Sequence, residues 1–105
     1  MNANTYDILA NIAKTDPETA NYWRLVDLVE LQHLELYADM LSRTKAVPGG
    51  DWVKLCGILH DWKTYRDLTD KQRRWLVVTV ANHLDAIVKY ELDLHSEMVN
   101  RTGFF

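Results

Sequence analysis

The chain is poor in the residues that cross-link or interrupt a fold. It holds one cysteine, Cys56, in 105 residues. That excludes an internal disulfide and a cysteine-based zinc cluster. Prolines number two and glycines four, and the one strong breaker is Val47-Pro48-Gly49-Gly50. No apolar run approaches the roughly 20 residues needed to span a membrane. The opening Met-Asn-Ala-Asn-Thr-Tyr-Asp has no basic stretch followed by an apolar one. No signal peptide is expected, and a reducing cytoplasm is the expected compartment. There is no phosphate-binding loop, because Pro48-Gly49-Gly50 follows a helical pattern and lacks the Lys-Ser/Thr that would complete one. No serine has a nucleophile-elbow context, and Cys56 lies on an apolar helical stripe, where a structural thiol is the common case.

What is present suits one helical domain covering residues 1–105. Apolar residues make up 48% and charged residues 26%, a globular balance. The net charge of −3 argues against a surface devoted to nucleic acid. The acidity lies in the first half. Residues 1–45 hold four Lys/Arg against seven Asp/Glu, and residues 46–105 hold eight of each. Four tryptophans accompany five tyrosines, residue types that favour cores and interfaces.

The hydrophobic period predicts an all-α bundle of four helices, two of them long. The first runs over Tyr6–Lys14, capped by Asn4 or Thr5, with Tyr6, Leu9, Ile12 and Ala13 inward. Thr15 and Glu18 have capping-box spacing around Pro17, and predict a second helix from there to Arg43. Its main stripe is Tyr22, Leu25, Val26, Val29, Leu36 and Met40, with Trp23, Leu34 and Leu41 alongside. Asp51 is the predicted cap of the third helix, whose stripe is Trp52, Leu55, Cys56, Leu59 and Trp62. Thr69 and Gln72 form a second capping box. The fourth helix then runs to about Asn100 through Leu76, Val80, Leu84, Ile87, Leu94 and Met98, and Gly103-Phe104 ends it. Trp75–Val80 is β-branched enough to read as a strand, but the capping box and the continuing period favour helix. A 30-residue helix spans about 45 Å, against a radius of gyration of about 13 Å for a compact domain of this size. The last helix must break, or the molecule is elongated, or a second subunit covers the overhang, so a homodimer is one expectation.

Two constellations could carry chemistry. Glu30 and His33 have the Glu-x-x-His spacing of di-iron bundles, and Glu91 and His95 lie one turn apart on the last helix. If a metal is bound, these four are its ligands. A complete di-iron site needs two such motifs and two further Glu, so no cofactor is expected. The second is Trp62-Lys63-Thr64-Tyr65-Arg66 followed by Lys71-Gln72-Arg73-Arg74-Trp75. Cations and rings together suit a nucleic-acid strand or an acidic protein surface. Lys71, Arg73 and Arg74 open a helix, where the macrodipole disfavours them, so an acidic group must compensate. Asp61, Asp67 and Asp70 are the nearest candidates in sequence.

The stretch from Trp52 to Leu84 resembles a helical hairpin that recurs in small phage-encoded proteins. The residues that carry it are Leu68-Thr69-Asp70-Lys71-Gln72 with Trp75-Leu76 after them. The resemblance covers under a third of the chain and implies no catalytic residue. It implies a viral protein that docks on a host protein complex, such as a defence system, and inhibits it. The favoured expectation is therefore a non-enzymatic interaction protein with a host or cognate protein as partner. Its expected partner surface is Trp62, Lys63, Arg66, Lys71, Arg74 and Trp75. A nucleic-acid-binding module using Lys63, Arg66, Lys71, Arg73 and Arg74 stands second, and a metal-binding bundle third. No membrane partner is expected.

Overall fold

The computed structural model describes residues 3–102, with side chains to Glu97. It is all-α, as the period predicts, but the described residues form six helices rather than four: α1 (Ala3–Lys14), α2 (Ala20–Leu28), α3 (Leu31–Ser42), α4 (Gly49–Tyr65), α5 (Asp70–Asn82) and α6 (Leu84–Thr102). Each of the two long helices read from the sequence is broken once. None of the described helices is long and apolar enough to cross a membrane.

The first break is at Val29-Glu30. Both residues are extended, with ψ near 125° and 131°, although neither is a proline or a glycine. The break resets the helical phase. In α3 the buried residues are Leu34, Tyr37, Ala38 and Leu41, so Leu36, read as core from the sequence, is 51% exposed. The second break is a single residue, His83, with φ −118° and ψ 23°. Its Nδ1 donates to the Thr79 carbonyl at 2.8 Å, and α6 starts at the next residue. The Trp75–Val80 stretch is helical, as the capping box requires.

Helix starts follow local chemistry, not always the residue read from spacing. Thr15 does not cap α2. Asp16-Pro17 makes a turn instead: the Thr19 N–H donates to the Asp16 carbonyl at 3.1 Å, and the Glu18 N–H to Asp16 Oδ1 at 2.9 Å. Thr19 then caps α2, accepting from the Tyr22 N–H. The α4 cap is Pro48 rather than Asp51, which sits in the first turn, where the macrodipole favours an acid. The α1 start is at Ala3, so Asn4 and Thr5 are helical rather than capping. Thr69 and Gln72 form the reciprocal capping box as read.

The core is Leu9 and Ile12 of α1, Tyr22 and Val26 of α2, the four inward residues of α3, Leu55, Ile58 and Leu59 of α4, and Leu76, Val77, Val80 and Ala81 of α5. Leu84 and Ile87 of α6 close one end. Helix α5 is central, packing on α1, α2, α3 and α4. The Trp52 indole N–H donates to the Ser42 carbonyl at 2.8 Å, tying the start of α4 to the end of α3 across their connection. The outer residues Tyr6, Ala13, Trp23, Trp52 and Leu94, read as inward from their spacing, are exposed. Met98, the predicted helix end at Asn100 and the Gly103-Phe104 clasp lie outside the residues whose side chains are described. The whole measures 50 × 29 × 24 Å with a radius of gyration of 14.7 Å, so it is elongated.

Two stability outcomes follow from this packing. A Cβ added at Gly57, in the middle of α4, would meet nothing within 4 Å. Gly57→Ala is expected to raise the unfolding free energy by about 0.5–1 kcal/mol in urea denaturation, because a helical glycine costs that much in chain entropy. Burial raises the pKa of Tyr37, and neighbouring carboxylates add to the shift; burial alone raises that of Tyr22. A phenol whose folded pKa is raised contributes stability that is intact below its unfolded value, about 10, and lost as pH rises through the folded value. The urea midpoint is expected to be flat in this respect up to about pH 10 and to fall above it, less steeply in Tyr37→Phe.

Candidate functional site

The basic-aromatic stretch is built on the end of α4 and the start of α5, and the fold divides it into two clusters. In the first, Glu35 and Asp39 stand one turn apart on α3, facing the last turn of α4. Glu35 Oε1 accepts from the Trp62 indole N–H at 2.7 Å and from Arg66 Nη1 at 2.6 Å. Asp39 Oδ1 pairs with Lys63 Nζ at 2.6 Å. The Arg66 guanidinium lies 5.3 Å from the centre of the Trp62 ring. Arg66 is also the α4 C-cap, in the left-handed region with φ 54° and ψ 31°. Glycine or asparagine usually fills that position, so the arginine sits there at a backbone cost. Its side chain is held between Glu35 and Trp62.

In the second cluster, Arg73 and Arg74 reach from the first turn of α5 to the end of α2. Arg73 Nη2 donates to the Asp27 carbonyl at 3.0 Å and to the Val29 carbonyl, and Nη1 lies 3.5 Å from Asp27 Oδ1. Its side chain is only 19% exposed. Arg74 Nε is 3.5 Å from the same Asp27 oxygen, with its guanidinium 5.7 Å from the Trp23 ring. Trp23 is itself fixed, edge-on to Tyr22 at 5.0 Å and donating to the Pro17 carbonyl at 3.1 Å. Asp27, Asp70, Arg73 and Arg74 line an open depression of about 290 Å³.

The carboxylates that balance these cations are therefore Glu35, Asp39 and Asp27, from α2 and α3. Of the three candidates nearest in sequence, Asp61 instead accepts from the Gln72 amide at 3.1 Å. Asp67 and Asp70 form no ion pair among the described residues. The one sequence signal for the true partners is the Glu35/Asp39 pair, one helical turn apart. Trp75 is half-buried against the core, with Lys54 Nζ 4.7 Å from its ring centre. Lys71 is exposed and forms no ion pair among the described residues. Four of the five cations suggested for nucleic acid are thus already paired, and a phosphate would have to compete with those carboxylates.

The four residues suggested for a metal are not gathered. His33 Nδ1 lies 3.5 Å from Glu30 Oε2 at the start of α3. Glu91 and His95 are exposed on α6. No three His, Cys, Asp or Glu side chains converge among the described residues. Beside the turn, Asp61, Tyr65, Asp67, Leu68, Thr69 and Gln72 line a second open depression of about 330 Å³. Tyr65 is 71% exposed at its edge, the highest value among the exposed large hydrophobic side chains.

The two arginines of α5 are expected to differ sharply. Arg73→Met removes charge-assisted bonds to two carbonyls, that of Val29 part-buried and that of Asp27 exposed, and should cost about 1.5–3 kcal/mol in urea denaturation. Arg74→Ala removes an exposed pair and should cost about 0.5 kcal/mol. Equal losses would show that Arg73 is not what holds the end of α2.

No family model matches the chain, and neither does any curated protein or solved structure.

Proposed function

We propose that the protein is a non-enzymatic interaction protein that binds another protein through the α4–α5 turn. The observation that carries this is the pairing of Tyr65 and Arg66. An aromatic ring that is 71% exposed stands next to an arginine kept in a left-handed conformation. The arginine is fixed by Glu35 at 2.6 Å and stacked on Trp62. Tyr, Trp and Arg are the residues that dominate binding energy at protein interfaces, and an arginine held in advance loses little entropy on binding. Lys63 lies one turn before Arg66 and is exposed, as are Lys71 and Arg74 on α5, while Glu35 and Asp39 are more covered than the cations they hold. The turn presents both signs, Lys63 and Arg66 against the exposed Asp67 and Asp70, and suits a partner with complementary charges of both signs around a pocket for the Tyr65 ring. The resemblance of the 52–84 hairpin to small phage proteins gives the partner's class as a host protein complex, inhibited by occupation of one of its surfaces.

Arg66→Gly separates function from stability. Glycine relieves the left-handed backbone while the ion pair to Glu35 is lost, so the unfolding free energy should change by less than about 1 kcal/mol. Affinity-purification mass spectrometry from a host lysate should recover one stoichiometric protein. Its affinity should fall at least about tenfold with Arg66→Gly or Tyr65→Ala. Recovery abolished by nuclease would replace this reading with the nucleic-acid one. Full binding by both variants would move the interface away from the turn.

A further inference from the structure

The α4–α5 turn sorts its charges by side. Lys63 and Arg66 are drawn to Asp39 and Glu35 on α3, and Arg73 and Arg74 to Asp27 at the end of α2. The depression of about 330 Å³ beside the turn is left with carboxylates alone. Its lining residues are Asp61, Tyr65, Asp67, Leu68, Thr69 and Gln72, with no lysine or arginine. Asp61 and Asp67 form no ion pair among the described residues. Lys71, the exposed cation of the turn without an ion pair among the described residues, does not line it either.

Local chemistry builds the walls. The left-handed Arg66 turns the chain just after Tyr65, and Asp67 and Leu68 come to line the same depression as Asp61 and Tyr65. Leu68 packs against the core and supplies an apolar wall. The capping box orients Asp61. Gln72 Oε1 accepts from the Thr69 N–H at 3.0 Å, so the amide nitrogen is the end that faces Asp61, and it donates to Oδ2 at 3.1 Å. The other oxygen, Oδ1, accepts from no donor among the described residues and is open to water. Tyr65, 71% exposed, borders the same space.

An oriented carboxylate, a second carboxylate and an aromatic ring beside an apolar wall are the complement of a guanidinium. Its plane stacks on a ring while its N–H edge donates to carboxylate oxygens. An ammonium is a strongly hydrated point charge and uses the ring and the paired oxygens less well. The volume is at the bottom of the range of ligand pockets, about 300–1,000 Å³, and suits one side chain. We propose that this depression receives an arginine side chain of the partner protein. The inference rests on the reading of the turn as a protein-binding surface, and makes the partner basic on this side of it.

The test needs no identified partner. The full chain, labelled with nitrogen-15, is titrated with the capped tripeptide Gly-Arg-Gly and followed by proton–nitrogen correlation spectra. Amides of residues 65–72 should shift and saturate, with a dissociation constant of about 10 mM, as expected of one side chain at an exposed site. Gly-Glu-Gly should give no saturating shift, and Gly-Lys-Gly should bind at least about threefold more weakly. Asp61→Asn keeps the acceptor for Gln72 but removes the charge, and should weaken the arginine peptide at least about fivefold. Asp51→Asn removes the same charge from the far end of α4, about 20 Å from Tyr65 at 1.5 Å per residue, and should change nothing. Circular dichroism confirms that both variants fold. Absence of saturation up to about 100 mM would overturn the proposal, as would equal losses in the two variants. Equal binding of the lysine peptide would overturn the choice of arginine. A host partner recovered through the turn, with no arginine binding, would overturn this inference and leave the reading of the turn standing. Arginine binding with no host partner recovered would do the reverse.

Discussion

The architecture depends on the guanidinium of Arg73 lying against the last carbonyls of α2. In an unbroken helix the Asp27 and Val29 carbonyls would accept from the N–H groups four residues on, those of Leu31 and His33. Arg73 supplies donors to both carbonyls instead. The chain is then free to take two extended residues and start a new helix at Leu31, with its phase reset. That is why Leu34, Tyr37, Ala38 and Leu41 face the core and Leu36 does not. It also explains how a segment read as one rod of more than 25 residues folds against α5 on both of its halves. A helix end left without partners inside the body would forfeit the bonds of its last carbonyls, at about 1–3 kcal/mol for each buried group.

The same contact resolves the electrostatic anomaly at the start of α5. Cations in a first helical turn oppose that helix's own dipole. Arg73 and Arg74 nevertheless lie beside the C-terminal, negative end of α2 and the carboxylate of Asp27. The dipole of one helix compensates for that of another. At the end of α4 the logic is simpler. Lys63 is in the last turn, where the dipole favours it, and Arg66 follows as the cap. Glu35 and Asp39 hold both from the side. Exposed pairs of this kind contribute at most about 1 kcal/mol each, while burial of a single Leu or Val contributes about 1.5–3 kcal/mol. The core therefore sets the stability, and the pairs set where the side chains of the turn point.

Local patterns were legible in the sequence and tertiary donors were not. The capping box of Thr69 and Gln72 is a three-residue interaction and reads directly from spacing. Leu9 and Ile12 of α1 and the inward residues of α5 and the first half of α6 follow the 3.6-residue period for the same reason, while Tyr6 and Ala13, at the margins of the α1 stripe, are exposed. The break at Val29-Glu30 leaves no local trace, because the donor that satisfies its Val29 carbonyl is an arginine 44 residues away. His83 is nearly as quiet, since a single non-helical residue barely disturbs the period. Thr15 and Glu18 had the right spacing for a cap, but Asp16 preceding Pro17 makes a competing turn with a hydrogen bond of its own. At the turn, the residue types that could bind a partner were visible in the sequence. Their division into two clusters was not, because Asp27, Glu35 and Asp39 come from elements distant in sequence.

The two breaks have opposite consequences for the surface. At Val29-Glu30 the chain turns back on the body, and both daughter helices are supported along their length. At His83 the chain continues into α6, whose residues 91–97 are all exposed, although Glu91 lies near Tyr37 and Tyr90 and Asp93 line a depression with Thr44, Lys45 and Ala46. Leu92 and Leu94 are 62% and 45% exposed on this stretch. Apolar side chains as exposed as these add little to the stability of the monomer. They lower the free energy only when another surface removes them from water.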